Sequence, residues 1–467
     1  MDKLNSSIQN PKSKIQNRNV SPARLAVFEI LQKIEMDRAY SSALLPIYEE
    51  KLQPKDRALC HTLTLGVLRN QIYLDRLIEK LTTKKTNKFD LAVLLALRLG
   101  LYQLIFLDKI PAHAAINESV NLVQRAKKTS AKNLVNAVLR RATREKIELE
   151  FADEPEKICV ESSYPRWLFE RWIREFGFEE AKKLAVASNE TPNLVFRLTA
   201  KSGAKTIEIL KKIGLEIIES EIAANAWKVF GSNEILRLYA ADGKIYFQDE
   251  ASQLVAQAVK LKAGESFLDV CAAPGSKVTQ IQDSKFRIQN SGFKIQDSRF
   301  KIQELIIAGD YFEHRVRILQ ANCRKQGADF INIVRYDAEN ALPFADDSFD
   351  VVLIDAPCSG TGTIRHNPEI RYFLSEKDFA ELSAKQLKIL QIASKTVKKN
   401  GRLIYSTCSL ESEENEAVIE KFLARNENFT KVTPKVWDIF LTGESFARTF
   451  PPRDKTDGFF IAEMIKR

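Results

Sequence analysis

The spacing of apolar residues changes twice along the chain. After a polar leader, Met1 to Asn19, Ser21-Pro22 marks a helix start, with proline in the first turn where its missing N–H costs nothing. Leu25, Phe28, Leu31 and Ile34 then recur at helical spacing, and Ala/Leu-rich amphipathic stretches continue to about Arg144. Leu63–Leu77 is one such stretch. Leu91–Leu107 is apolar enough to predict a buried central helix. With no period-two strand among them, residues 20–148 read as an all-α bundle.

Residues 149–240 mix patterns and predict a small α+β connector. Helical segments over Trp167–Phe176 and Glu179–Ser188 lead to a strand-like Asn193–Leu198, a helix near Lys205–Ile213 and alternation over Leu215–Ile222. From 241 to 467 short apolar strands alternate with helical patterns: Ser266–Val270, Leu305–Ala308, Phe330–Arg335, Val351–Ile354 and Arg402–Tyr405. That alternation predicts an α/β architecture, an open parallel sheet with helices on both faces.

One segment breaks the pattern. Phe286, Phe293 and Phe300, with Ile288, Ile295 and Ile302, repeat every seven residues over about 282–303, echoing Ile8-Gln9-Asn10 and Ile15-Gln16-Asn17. A coiled coil needs a longer run, and Ser291-Gly292 interrupts this one. The segment is expected to be an inserted surface loop without a part in the chemistry.

Composition adds where the charge lies. The chain of 467 residues carries a net charge of +10, yet residues 1–150 hold 26 Lys+Arg against 15 Asp+Glu and the remainder is nearly neutral. The densest basic run comprises Arg125, Lys127, Lys128, Lys132, Arg140, Arg141, Arg144 and Lys146. Such a cluster is either a solvated helix face or the footprint of a polyanion, and its confinement to one domain favours nucleic acid. No run of about 18 apolar residues predicts a membrane span. The polar N-terminus lacks the apolar core of a secretory signal and suggests the cytosol. Six scattered cysteines without a C-x-x-C pair and four separated histidines suggest neither a disulfide framework nor a metal centre.

Three signals carry chemistry. In Phe267-Leu268-Asp269-Val270-Cys271-Ala272-Ala273-Pro274-Gly275-Ser276-Lys277 a strand ends, small residues turn the chain and a helix begins. Doubly wound sheets bind cofactors at such a turn. It is neither G-x-G-x-x-G nor a P-loop. Acids also close successive strands: Asp310, Asp337 and Asp355. Any single one reads as a helix cap or turn residue; three at equivalent places predict a cofactor crevice, with carboxylates suited to a ribose diol and an adenine amino group.

The third signal is a pair of thiols. Asp355-Ala356-Pro357-Cys358-Ser359-Gly360 closes the fourth strand and Tyr405-Ser406-Thr407-Cys408-Ser409 the fifth, so both cysteines should share one sheet edge. Cys60, Cys159 and Cys323 read as small core residues, and Cys271 as a packed turn residue. A thiolate beside an acid can attack an electron-poor ring carbon.

With these motifs the chain resembles the RNA cytosine-5 methyltransferases that use S-adenosylmethionine. Cys271–Lys277 matches their cofactor loop, Asp355–Gly360 their proline-cysteine motif and Tyr405–Ser409 their threonine-cysteine motif. Gln248-Asp249-Glu250-Ala251-Ser252 and Asp457-Gly458-Phe459-Phe460 resemble flanking signatures. Leu99–Leu104, Ile110–Glu118 and Val135–Arg141 are similar to a NusB-type RNA-binding domain, an arrangement found in the bacterial Sun/Fmu (RsmB) group that methylates small-subunit ribosomal RNA.

The resemblance implies a NusB-like bundle, a connector and a Rossmann-like catalytic domain acting as a cytoplasmic monomer on 16S ribosomal RNA or a small-subunit assembly intermediate. It implies Cys408 as nucleophile towards C6 of cytosine, Cys358 in deprotonation or release, and Asp355 on the base. The cofactor would lie along Cys271, Ala272, Ala273, Pro274, Gly275, Ser276 and Lys277, with Asp310 at the ribose, Asp337 near the adenine and Asp355 facing the methyl. Ser276 stands where the family has a second glycine, and tolerable backbone strain is expected there. Other readings are a methyltransferase of tRNA or another RNA, and a non-catalytic assembly factor. Lys277, His366 and Arg371 face either RNA or solvent on this reading.

Overall fold

A computed structural model describes residues 20–231, 234–290 and 305–467. The leader, and residues 291–304 of the insertion, lie outside the described residues. The chain divides into two compact units, Met1–Phe151 and Ala152–Arg467. The connector thus clusters with the catalytic segment, where the sequence pattern suggests a third, separate body.

The first unit is helical: α1 (Pro22–Asp37), α2 (Ser41–Glu50), α3 (Pro54–Arg69), α4 (Gln71–Thr82), α5 (Leu91–Phe106), α6 (Ala112–Arg125) and α7 (Lys132–Ala142). Helix α5 is the central one, buried from Ala92 to Gln103, and Asp90 caps it by accepting from the Ala92 N–H at 3.0 Å. Burying its Arg98 is offset by Asp75 at 2.7 Å and Glu35 at 2.6 Å, which tie α5 to α4 and α1. The stretch Leu63–Leu77 divides at Asn70, whose side-chain amide donates to the Gly66 carbonyl at 2.9 Å. That local bond competes with helix continuation. The basic run of α6–α7 is exposed. Within it Lys128, Arg141 and Lys146 pair with Asp90, Glu145 and Glu148.

The second unit opens with α8 (Glu154–Glu161), α9 (Arg166–Phe176) and α10 (Phe178–Ala187). A four-stranded antiparallel sheet follows, ordered β2-β3-β1-β4, from β1 (Leu194–Leu198), β2 (Ile217–Glu219), β3 (Ala226–Val229) and β4 (Ile245–Phe247), with α11 (Thr206–Lys212) and α12 (Glu234–Ala241).

Beyond α13 (Glu250–Ala258) lies an eight-stranded mixed sheet. Its strands are β5 (Phe267–Asp269), β6 (Ile306–Asp310), β7 (Asn332–Arg335), β8 (Phe349–Asp355), β9 (Val397–Thr407), β10 (Phe429–Val432), β11 (Ala447–Arg448) and β12 (Phe460–Lys466). The order is β10-β12-β9-β8-β5-β6-β7, with β11 on β12. Strands β5 to β9 are mutually parallel, and β12 runs antiparallel between β9 and β10. Strand β8 shows why its sequence is an unbroken apolar run: Val351 and Leu353 face one core, Val352 and Ile354 the other. Those cores are covered by α13, α14 (Ser276–Asn290) and α15 (Glu313–Gln326) on one side. On the other lie α17 (Glu376–Lys395) and α18 (Glu416–Leu423), preceded by the short α16 (Ile370–Phe373).

The insertion departs from expectation. Its first residues, 282–290, continue α14 and are not a surface loop. Ile281, Gln282 and Asp283 are buried, and Asp283 pairs with buried Arg197 of β1 at 2.6 Å. Arg197 also donates to Gln248, Thr279 and Gln326, so this helix anchors the smaller sheet to the larger.

Candidate active site

The chain runs β5-β6-β7 to one side and then returns to place β8 and β9 on the other side of β5. The order therefore reverses between β5 and β8, where ligands bind outside the carboxyl ends of the strands. Asp269, Asp310, Asp355 and Cys408 all stand at or just past that edge.

The turn after β5 is built to let backbone approach a ligand. Gly275 has φ +100°, a conformation that disfavours side chains, and a Cβ there would press on Leu319 Cδ1 at 2.9 Å. The Ala272 N–H donates to the Gly309 carbonyl at 2.8 Å, while Arg315 and Asn322 hold the Ala273 and Pro274 carbonyls. Ser276 opens α14 without a positive φ, so the strain expected from replacing a glycine does not arise.

Asp310 is buried, and its Oδ2 lacks a hydrogen bond, with only the Arg315 guanidinium nearby at 3.4 Å. Asp337 accepts one local bond on each oxygen, from the Glu339 N–H at 2.9 Å and the Asn340 amide at 2.6 Å. Tyr311 and Phe312, which follow Asp310, are exposed and packed edge to face with centroids 4.8 Å apart.

Asp355 ends β8. Its Oδ1 accepts from Ser406 Oγ at 2.8 Å, and its Oδ2 pairs with Lys277 Nζ at 2.5 Å. Lys277 is neither solvent-facing nor free. It is buried, with its ammonium 5.2 Å from the Phe459 ring centroid. Burial works to lower its pKa, and the Asp355 charge and hydrogen bond together with Cys408 and Asp269 raise it overall.

Cys358 Sγ and Cys408 Sγ lie 3.2 Å apart, both partly exposed among buried neighbours. The Gly362 N–H donates to the Cys408 carbonyl and the Gly458 N–H to the Gly362 carbonyl, each at 2.9 Å. A Cβ at Gly362 would fall on the Gly458 oxygen, so only glycine permits this crossing beside the thiols. The bond to Cys408, followed by burial, pushes the Cys358 thiol well up. The two sulfurs are close enough to share a proton. Burial pushes Cys60 to about 11 and Cys159 and Cys323 to about 12, which suits inert core thiols. Cys271 is likewise raised and packs against the sheet core.

Asp269 belongs to the site although the sequence reading does not single it out. It closes a strand as the other acids do, which is the signal that could have found it. Neither oxygen makes a well-formed hydrogen bond. Burial, then repulsion from Asp355, raises its pKa from 3.8 to about 8. A raised carboxyl pKa contributes stability that is fully present in acid and is lost as pH rises towards 8. Asp269→Asn should accordingly raise the melting temperature of the free protein increasingly between pH 4 and 8, by roughly 2 °C or more at the upper end. Scanning calorimetry across that range checks it; a constant difference would refute the assignment.

Arg371 turns away from the site. It is fully buried, donates to the Ser162 carbonyl at 3.0 Å and stacks over Tyr164. His366 is part-exposed, with Nδ1 3.0 Å from Asp457. Asp249 joins these two in a group that could geometrically close on a cation, but Arg365 lies 3.6 Å from Asp457 and 3.9 Å from Asp249. The cluster already contains its own cation.

Comparison with known proteins agrees with both units. Residues 256–465 match the model of the family described as 16S rRNA methyltransferase RsmB/F, and residues 21–144 match the NusB family. The probable ribosomal RNA small subunit methyltransferase B of Bacillus subtilis (strain 168) is 32% identical over 457 residues, covering 94% of this chain and 97% of that protein. The chain belongs to the RsmB/F family of 16S rRNA methyltransferases.

Ribosomal RNA small subunit methyltransferase B of Pseudomonas syringae pv. tomato is also 32% identical, covering 95% of this chain and 96% of its own. Two solved structures share the fold. That of PH0851 has a TM-score of 0.80 at 24% identity, covering 96% of this chain and 99% of its own. That of NSun6 from Pyrococcus horikoshii with SFG has a TM-score of 0.55 at 20% identity, covering 65% and 98%.

As an RsmB/F member the protein is an S-adenosylmethionine-dependent rRNA methyltransferase, and the residues present fit that cofactor. Buried Asp310 keeps an oxygen without a hydrogen bond, and Gly275 leaves the turn open to close approach. Among the described residues no helix is long and apolar enough to cross a membrane.

Proposed function

We propose that this RsmB/F protein methylates C5 of one cytosine in 16S rRNA through a covalent adduct on Cys408. The observation that carries the reading is the pair of sulfurs 3.2 Å apart at the ends of β8 and β9, beside Asp355 and Lys277. C5 of cytosine is too weak a nucleophile to be methylated directly. The Cys408 thiolate forms a bond to C6, and the C5=C6 electron pair moves to C5. Asp355 accepts from the N4 amino group and shares a proton with N3 as negative charge builds there, with Lys277 holding the carboxyl group in place. S-adenosylmethionine, when bound, supplies the electrophilic methyl that C5 takes up. Once Cys408 is a neutral thioether, the largest influence holding the proton on Cys358 is gone and that proton leaves for solvent. The Cys358 thiolate then removes the C5 proton, the C6–S bond breaks, and Cys408 departs as thiolate.

The cofactor reading gives the turn Cys271–Lys277 to its backbone, Asp310 to the ribose and Asp337 to the adenine end. Tyr311 and Phe312 offer the adenine an aromatic surface. The target cytosine must leave its stack to reach the thiols, which favours a loop or a partly assembled particle as substrate. The exposed basic run of α6–α7 supports contact with the RNA backbone.

Bisulfite sequencing of total RNA from a strain lacking the gene tests the proposal. Loss of one methylcytosine from small-subunit RNA is expected. An unchanged small-subunit RNA with a methylcytosine missing from tRNA would transfer the activity to that substrate.

A further inference from the structure

Behind the two thiols sits a carboxylate that the mechanism above does not use. Glu414 is fully buried. Its Oε1 accepts from the Ser359 N–H and the Gln386 amide, each at 2.9 Å. Its Oε2 accepts from the hydroxyls of Ser359 and Ser409. Ser359 follows Cys358 in the chain and Ser409 follows Cys408, so one side chain grips the residue next to each sulfur. Gln386 extends the grip by donating to the Pro357 carbonyl at 2.9 Å, and Tyr405 donates to the Glu414 backbone carbonyl at 2.6 Å. A buried acid normally needs a cation or a full set of donors. Here the four donors replace the cation.

We propose that Glu414 is a positioning residue that sets the spacing of the two catalytic thiols and keeps the proton on Cys358, leaving Cys408 as the nucleophile; this rests on the covalent reading given above. The geometric part follows from these bonds: three of the four join the loops after β8 and β9 from behind, and Gln386 of α17 gives the fourth. The electrostatic part follows from a fixed negative charge next to the Cys358 loop. The titratable and charged groups facing Cys358 are Cys408, Glu414 and Asp355. Asp355 is already matched by Lys277. Tyr405 stands behind on β9, and Glu411 is held by Arg171, so neither supplies an uncompensated charge of the same kind. Helix α17 contributes only neutral Gln386.

The test is alkylation of the free protein with iodoacetamide across pH, with the modified fraction of each cysteine read by mass spectrometry. Glu414→Gln should move the Cys358 profile to lower pH and reduce the preference for Cys408 by roughly tenfold, equivalent to one pH unit. Glu414→Asp, which keeps the charge, should restore most of that preference. A Glu414→Gln protein that folds, binds S-adenosylmethionine and keeps the wild-type profiles would overturn the proposal. Should that variant fail to fold, Ser409→Ala decides instead. It cuts the link to the Cys408 loop, and the proposal requires a changed alkylation ratio; an unchanged ratio overturns it. Neither measurement involves RNA, so failure of the covalent reading would appear separately, as methylated RNA produced by Cys408→Ala.

Discussion

Cys408→Ala should abolish methyl transfer, by roughly 10⁴-fold or more, and leave no protein–RNA adduct on a denaturing gel. Cys358→Ala should do the opposite to the adduct. With the C6–S bond made and no base to remove the C5 proton, adduct should accumulate while turnover falls by roughly 10²–10⁴-fold. The asymmetry follows from the proposed division of labour within the thiol pair, whose sulfurs lie 3.2 Å apart. Adduct with Cys408→Ala and none with Cys358→Ala would reverse the two roles.

The second large effect concerns Asp355 and Lys277. Asp355→Asn should cost roughly 10²–10⁴-fold in methylation, since the group that shares a proton with N3 as charge develops on the ring is lost. It also leaves the buried Lys277 ammonium without its partner. Destabilisation of about 2 kcal/mol is expected, less than for a fully buried pair because the Asp355 side chain is 28% exposed. The double variant Asp355→Asn/Lys277→Met separates the two losses: stability should return and activity should not. Denaturant titration and methylation assays on the three proteins give the answer. Full activity in the double variant would remove both residues from the mechanism.

The strands were legible because the parallel ones are buried on both faces and appear as short apolar runs between turns. Their order in the sequence is enough to place Asp310, Asp355, Cys358 and Cys408 at one edge. Two of the connector's strands were harder to find: β3 and β4 are short and half-buried, without a clear alternation. Asn70 ended a helix through a single side-chain bond that periodicity does not register. The repeated lettering of the insertion hid the continuation of α14, which depends on Asp283 meeting Arg197 from β1. Lys277 could not be told from a surface lysine, because its burial depends on Asp355, 78 positions away. Glu414 stands in the acidic run Glu411–Glu416, which as sequence reads as solvated. Its donors come from Ser359 and Gln386, and folding alone brings them there.

Strand β12 carries a consequence for the order in which the molecule is made. It fills the place between β9 and β10, though it emerges after both of them during synthesis. The helical unit is complete by Phe151. Units fold as they emerge, the N-terminal one first. A nascent chain halted before Phe460 therefore presents a finished basic bundle attached to a sheet with a gap beside β9, the strand that leads into Cys408. For that interval one unit is complete while the edge of the other's sheet is still open.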